Sequence, residues 1–274
     1  MDNQPASEYM YITVFASGSS GNCTLVSAGH TRLLIDAGIS MRRITSFLSD
    51  AALRWEDING ILVTHEHSDH ILALPMLVKN HPLPIYAPHT VANRLRGRYP
   101  ELEEHLCIIP VGEHVSIGEV HFTAFHTPHD TDESVGYRID DSDCSFALAT
   151  DMGHVTDEIR SALLGCGTVL IEANHDEDML INGPYPLPLK RRILSERGHL
   201  SNGNAAILAR ELAEHGTAHI VLGHLSRENN LPELAMGTVA AALLGTGAEL
   251  LCAPPLGPLT VSVEPLLKSE DVPC

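Results

Sequence analysis

Ile61-Leu62-Val63-Thr64-His65-Glu66-His67-Ser68-Asp69-His70-Ile71 is the stretch whose reading decides the fold of this chain. It opens with an apolar run of strand type, and the six residues after Thr64 hold three imidazoles and two carboxylates. Residues two apart in an extended segment point to the same side, so His65 and His67 face one cation together. Asp69 and His70 fall past the strand end. The helical spacing of Ile71, Leu74, Leu77 and Val78 predicts a helix over 71–79, with Pro75 near its first turn, that turns this second pair toward another cation. Two divalent ions roughly 3.5–4 Å apart activate a water between them and clamp a transition-state oxyanion.

Outward from this loop, apolar strands keep ending in polar residues. Residues 11–16 alternate like a strand and run into Ser17-Gly18-Ser19-Ser20-Gly21-Asn22, which either brings backbone N–H groups close to a ligand or forms a hairpin turn. Residues 23–28 and 32–36 read as a hairpin about Gly29-His30, and Ser40 as the cap of a helix through Met41, Ile44, Phe47 and Leu48. A short strand (82–87), a short helix (90–98) and a set of short strands (107–125) lead to Phe125-His126-Thr127-Pro128-His129-Asp130. Either His126 or His129 is placed to be the third imidazole on the first ion. The run 146–150 ends in Asp151, sited to bridge two cations or to cap a helix over 155–164. Glu172-Ala173-Asn174-His175 follows the strand 168–171. The basic residues Lys190, Arg191, Arg192 and Arg197 are candidate phosphate contacts. Ser201 caps a helix over 205–215, and the strand 220–222 ends in His224, an imidazole at a strand end like His65. Helix 232–244 and strands 249–252 and 259–263 close the chain. Strands and helices in this order suit helices packed outside a sheet.

Composition narrows the function classes. With 274 residues and 44% apolar content the chain buries a large core, as one domain over 1–274. No apolar run approaches the roughly 20 residues that span a bilayer. The polar, acidic start, Met1 to Tyr9, lacks the features of a secretory signal, so a cytoplasmic location is expected. The six Cys (23, 107, 144, 166, 252, 274) form no C-x-x-C pair, which argues against a zinc ribbon or redox dithiol and for small buried hydrophobes. A net charge of −18 opposes broad attraction to nucleic acid, although two divalent ions would add about four positive charges where substrate binds.

H-x-H-x-D-H after a hydrophobic strand resembles the signature of the metallo-β-lactamase fold, which implies a four-layer αββα sandwich with the site along one sheet edge. The resemblance implies seven donors: His65, His67 and His129 on one ion, Asp69, His70 and His224 on the other, and Asp151 bridging. The H-D-x-x-x-x-V-G-Y setting of His129 resembles one branch's third metal motif and favours it over His126. S-G-S-S-G-N, L-L-I-D-A-G, E-A-N-H-D, G-P-Y-P, L-K-R-R-I, G-H-L-S-N and G-H-L-S-R-E-N-N together resemble the bacterial YycJ-like (WalJ-like) branch over residues 10–235. That likeness implies 5′-to-3′ exonuclease action on DNA, tied to DNA repair or to cell-wall signalling. A wider similarity to ribonuclease Z implies that Glu172 braces His199 as general acid for the departing alkoxide, with the role of His175 left open. The interval 152–223 is filled by these motifs and leaves no room for the exosite arm of ribonuclease Z or the inserted domain of related cleavage factors.

The expected function is therefore a two-metal phosphodiesterase, using zinc or manganese, that acts on nucleic acid, DNA first. Asp69 would accept a proton while remaining a ligand. A small-molecule hydrolase of the same fold, cleaving a lactone, thioester or β-lactam, needs neither His199 nor the basic run. A non-catalytic partner protein predicts missing ligands, and none is missing.

Overall fold

The computed structural model describes residues 7–264. Most of the acidic start and Cys274 lie outside the described residues. The first sheet contains β1 (Ser7–Ala16), β2 (Cys23–Gly29), β3 (Thr31–Ile35), β4 (Gly60–Leu62), β5 (Ile85–Pro88) and β6 (Leu106–Ile109). The second contains β7 (His114–Ile117), β8 (Val120–His126), β9 (Val135–Asp140), β10 (Ser145–Ala149), β11 (Thr168–Glu172), β12 (His219–Gly223) and β13 (Glu249–Cys252). The closing strand β14 (Leu259–Ser262) returns to pair with β1 at the edge of the first sheet.

Side-chain alternation builds the layers. Ile12 and Val14, Leu33 and Ile35, and Leu62 from the first sheet meet Phe146, Leu148, Leu170 and Val221 from the second in one shared core. Their immediate neighbours point the other way, because successive strand residues face opposite sides. Leu34, Ile61 and Val63 pack under α1 (Met41–Asp50), α3 (Leu74–Asn80) and α4 (His89–Arg98). Ala147, Val169, Ile171, Ile220 and Leu222 pack under α5 (Asp157–Leu163), α8 (Asn202–Glu214) and α9 (Pro232–Ala242). Three cores between two sheets and two helical layers make the expected αββα sandwich. The shorter helices α2 (Ser68–Ile71), α6 (Glu177–Asn182) and α7 (Leu187–Ile193) complete the α-helices among the described residues.

Each sheet is antiparallel on one side and parallel on the other: β3 through β6 run parallel, and so do β10 through β13. Parallel strands end on the same edge, where an α/β sheet presents its ligands. Asp36, Thr64, Asp151, Glu172 and His224 all stand at or just past such ends. Asp36, Asp151 and His224 have φ of 61°, 56° and 55°, a left-handed backbone that L-residues seldom adopt.

Three local expectations need correction. The helix over 71–79 is divided into α2 and α3 because its first carbonyls are diverted: Asp69 O accepts from Asn22 N and His70 O from Ala37 N, while Ala73 N donates to Ala37 O. Gly38 permits this contact, since a Cβ there would overlap the Asp69 carbonyl. The 155–164 helix starts at Asp157 with Thr156 accepting from Ile159 N, so Asp151 is not its cap. Ser40 stands at the N-cap of α1 without a side-chain cap bond, whereas Ser201 does accept from Asn204 N.

Candidate metal centre

The sheet edge brings all seven expected donors together. His65 Nε2 and His67 Nδ1 are 3.0 Å apart, and the donor atoms of His65, His67 and His129 lie within 4.8 Å of one another. Asp69, His70 and His224 satisfy the same limit. Asp151 stands between the groups, with Oδ1 3.6 Å from His129 Nε2 and Oδ2 3.3 Å from His70 Nε2. His126 is instead exposed on β8, beside Glu158 at 3.2 Å and Glu133 at 3.7 Å. Of the two candidates, His129 is the one that groups with His65 and His67.

Four of the five rings, all but His67, are oriented from behind. His70 Nδ1 donates to Asp36 Oδ2 at 2.7 Å, and His224 Nδ1 to Glu172 Oε1 at 2.7 Å. His129 Nδ1 donates to Gly198 O at 3.3 Å, and His65 Nδ1 meets Thr64 Oγ1 at 3.1 Å. A hydrogen bond at one ring nitrogen sets the tautomer and turns the other nitrogen inward. Asp36 also accepts from Thr64 N at 2.9 Å and from the Thr64 hydroxyl, which ties the ends of β3 and β4 together. Asn22, in the Gly/Ser loop, brings Nδ2 within 3.0 Å of His70 Nε2.

The donor set fits divalent cations. Asp151 Oδ2 and His224 Nε2 are buried without a hydrogen-bond partner among the described residues, and leaving such atoms unpaired costs about 1–3 kcal/mol each. Histidine nitrogens mixed with carboxylate oxygens are borderline-to-hard ligands of the kind divalent metals take. Asp151, Glu172, His199 and His224 form another close group. Glu172, however, is spent: Oε2 accepts from Met152 N and Leu200 N at 3.0 Å each, and Oε1 serves both His224 and His199, the latter at 2.8 Å. It orients two imidazoles at once.

The protein's own charges are balanced around these acids. Burial pushes the Asp151 carboxyl up, but His224, His70 and His129 hold it well below the usual carboxylate range. Burial likewise opposes ionisation of Glu172, yet the His199 imidazolium brings it down to about 2. For His70, burial favours the neutral ring, and Asp36 and Asp151 outweigh it, raising the ring to about 10. His199 is raised against its burial by Glu172. His65 is lowered by burial and by neighbouring His70, and His129 chiefly by burial.

The basic run divides. Lys190 Nζ donates to Ile181 O at 2.7 Å, and Arg197 donates to the carbonyls of His129 and Thr131, so both support the backbone. Arg191 is exposed, and Arg192 pairs with Asp130 at 2.6 Å. His175 is buried with neither ring nitrogen partnered among the described residues, outside the ligand groups. Asp36, Thr64, Asn22 and Asp130 were missed from sequence. Asp36 had a signal, an acid closing the apolar run Leu33-Leu34-Ile35 just as Asp151 closes its own. A cavity of about 200 Å³ opens over the cluster, rimmed by Ser19, Tyr185, Leu189, Arg192 and His199.

A family model described as "Beta-lactamase superfamily domain" matches residues 31–225. The chain belongs to the β-lactamase superfamily. Within it, the chain is 38% identical to the exodeoxyribonuclease YycJ of Bacillus anthracis, over 85% of this chain and 89% of that protein. It is 37% identical to the exodeoxyribonuclease WalJ of Streptococcus pneumoniae, over 86% and 91% respectively. It is thus a hydrolase of the branch that holds these two proteins. Among solved structures, zinc-bound PqqB from Methylobacterium extorquens superposes with a TM-score of 0.68 at 16% identity, covering 92% of this chain and 99% of that one. The short form of human tRNase Z superposes with a TM-score of 0.65 at 16% identity and the same coverages. At such identity these superpositions speak for the fold alone.

Proposed function

We propose that this protein is a DNA exonuclease, degrading from the 5′ end, that uses two divalent ions, zinc or manganese. His65, His67 and His129 would hold one ion, Asp69, His70 and His224 the other, and Asp151 both. Ions bound there would supply Lewis acidity to the phosphodiester and lower the pKa of an attacking water toward neutrality. Asp69, 24% exposed where Asp151 is 4%, is the carboxylate placed to accept a proton. His224 keeps its carboxyl ionised against the effect of burial. His199, held protonated by Glu172, gives a proton to the leaving alkoxide.

The observation that carries this reading is the Glu172–His199 pair at 2.8 Å on the rim of the cavity over the donor cluster. An alkoxide departing from phosphorus is a poor leaving group until protonated, and this pair supplies the acid. The names of the YycJ and WalJ relatives support DNA as substrate. We further take the chain as one domain over 1–274, acting in the cytoplasm in DNA repair. The five described cysteines are unpaired, which fits a reducing compartment. The test uses purified, metal-analysed protein on 5′- and 3′-labelled single- and double-stranded DNA and RNA. Loss of labelled DNA ends is expected, with His199→Ala slowing it about 10²–10⁴-fold at full metal content. Unchanged DNA hydrolysis by His199→Ala, or turnover of lactones or thioesters with DNA left intact, overturns the reading.

A further inference from the structure

One face of α7 forms a wall of the cavity. Leu189, Arg192 and Ile193 line it at i, i+3 and i+4, the spacing that gathers side chains on one helical face. Lys190 and Arg191 fall off that face, so Arg192 is the only Lys or Arg among the described residues lining the cavity. Its guanidinium does not swing freely. Nε meets Asp130 Oδ2 at 2.6 Å, and Asp130 Oδ1, buried and otherwise unpartnered, lies 3.1 Å from His129 Nε2 and 3.8 Å from His67 Nε2. Asp130 thus spaces Arg192 one carboxylate back from the first histidine group. The two Nη groups have no partner among the described residues, and they are the forked edge that matches a phosphate.

We propose that Arg192 is an end-phosphate clamp: it binds the terminal phosphate monoester of the strand being degraded and so makes the enzyme select phosphorylated ends. The inference rests on the nuclease reading and adds the chemistry of the end. The phosphate being cut belongs over the donor cluster. A guanidinium set back from that cluster meets the next phosphate outward. A cavity of about 200 Å³ is smaller than the roughly 300–1,000 Å³ typical of ligand pockets and suits one nucleotide rather than a continuing strand. With the cavity walled by Tyr185, Leu189 and Ile193, the next phosphate outward is the terminal one.

The experiment compares kcat/KM on otherwise identical DNA ends carrying phosphate or hydroxyl, at 5′ and 3′ termini separately, for the wild type, Arg192→Ala, Arg192→Lys and Arg191→Ala. A charged hydrogen-bonded contact corresponds to a preference of about tenfold or more for the phosphorylated end in the wild type. Arg192→Ala brings the ratio to near one, Arg192→Lys restores part of it, and Arg191→Ala keeps the wild-type ratio. Fluorescence anisotropy with phosphorylated and hydroxyl-ended oligonucleotides in chelator reads the same preference without turnover. An equal loss on both ends in Arg192→Ala assigns Arg192 to the phosphate being cut and overturns the clamp. So does a wild type with no end preference. A wild type that degrades no DNA but keeps the anisotropy preference sinks the nuclease reading and leaves the clamp standing.

Discussion

The two halves of the metal centre are braced by different chemistry. Behind the imidazoles of the Asp69, His70 and His224 group stand buried carboxylates, Asp36 on His70 and Glu172 on His224, each at 2.7 Å. Behind the His65 and His129 imidazoles of the other group stand neutral groups, the Thr64 hydroxyl and the Gly198 carbonyl, at longer distances. His67, in the same group, is more than a third exposed. A carboxylate behind an imidazole raises its basicity and fixes its ring more firmly than a neutral oxygen does. The half held by Asp36 and Glu172 is therefore the more rigid and more basic set of donors, and the half with His67 is the more open to the cavity.

The strongest way to break this contrast is Asp36→Ala. It leaves buried His70 and the Thr64 N–H without their acceptor, and removing one partner of a buried charged pair costs about 3–5 kcal/mol. A lower denaturation midpoint together with loss of one metal equivalent is expected. A variant as stable as wild type would mean that Asp36 is not the brace. Glu172→Gln comes next, since it disturbs both His199 and His224. We expect kcat to fall by about 10²–10⁴ and second-ion affinity by about 10–100-fold. His199→Ala should show the first effect without the second, so kinetics and metal titration on the same samples separate the two roles of Glu172.

Thr64→Val sharpens the comparison from the other side. The hydroxyl lost stands behind His65 and also donates to Asp36 at 2.9 Å, but Asp36 keeps the Thr64 N–H and His70, so first-ion affinity should drop by no more than about tenfold, the low end for an outer partner. The smallest expected effect is His126→Ala on the exposed edge of β8. Its stability should stay within about ±0.5 kcal/mol of wild type and its metal content should be unchanged. Loss of a metal equivalent there would reopen the choice between His126 and His129.

The clustered side chains were legible in sequence where they are local: His65, His67, Asp69 and His70 share one six-residue run, and Asp151 and His224 each follow an apolar strand run, whereas the residues alone left His126 and His129 open and only the resemblance favoured His129. The layered fold was legible for the same reason, through runs whose neighbours alternate between two cores. The braces were not. Asp36 reaches His70 only because β3 lies parallel to β4, and Glu172 reaches His224 only because β11 lies parallel to β12. The split of the helix over 71–79 escaped for a related reason: its spacing was helical, but the bonds that interrupt it come from Asn22 and Ala37. The fate of Lys190 and Arg197 was equally hidden, since charge in a sequence does not reveal which backbone carbonyls will meet it.

Asp36, Asp151 and His224 share a left-handed backbone, a conformation that costs a non-glycine residue about 1–3 kcal/mol. The centre is thus held at a local energetic loss that the surrounding sandwich must absorb. Selection for heat resistance alone would drift toward glycine or asparagine at these three positions, hardening the scaffold while emptying it of its chemistry. Libraries built to toughen this protein should therefore hold those codons constant.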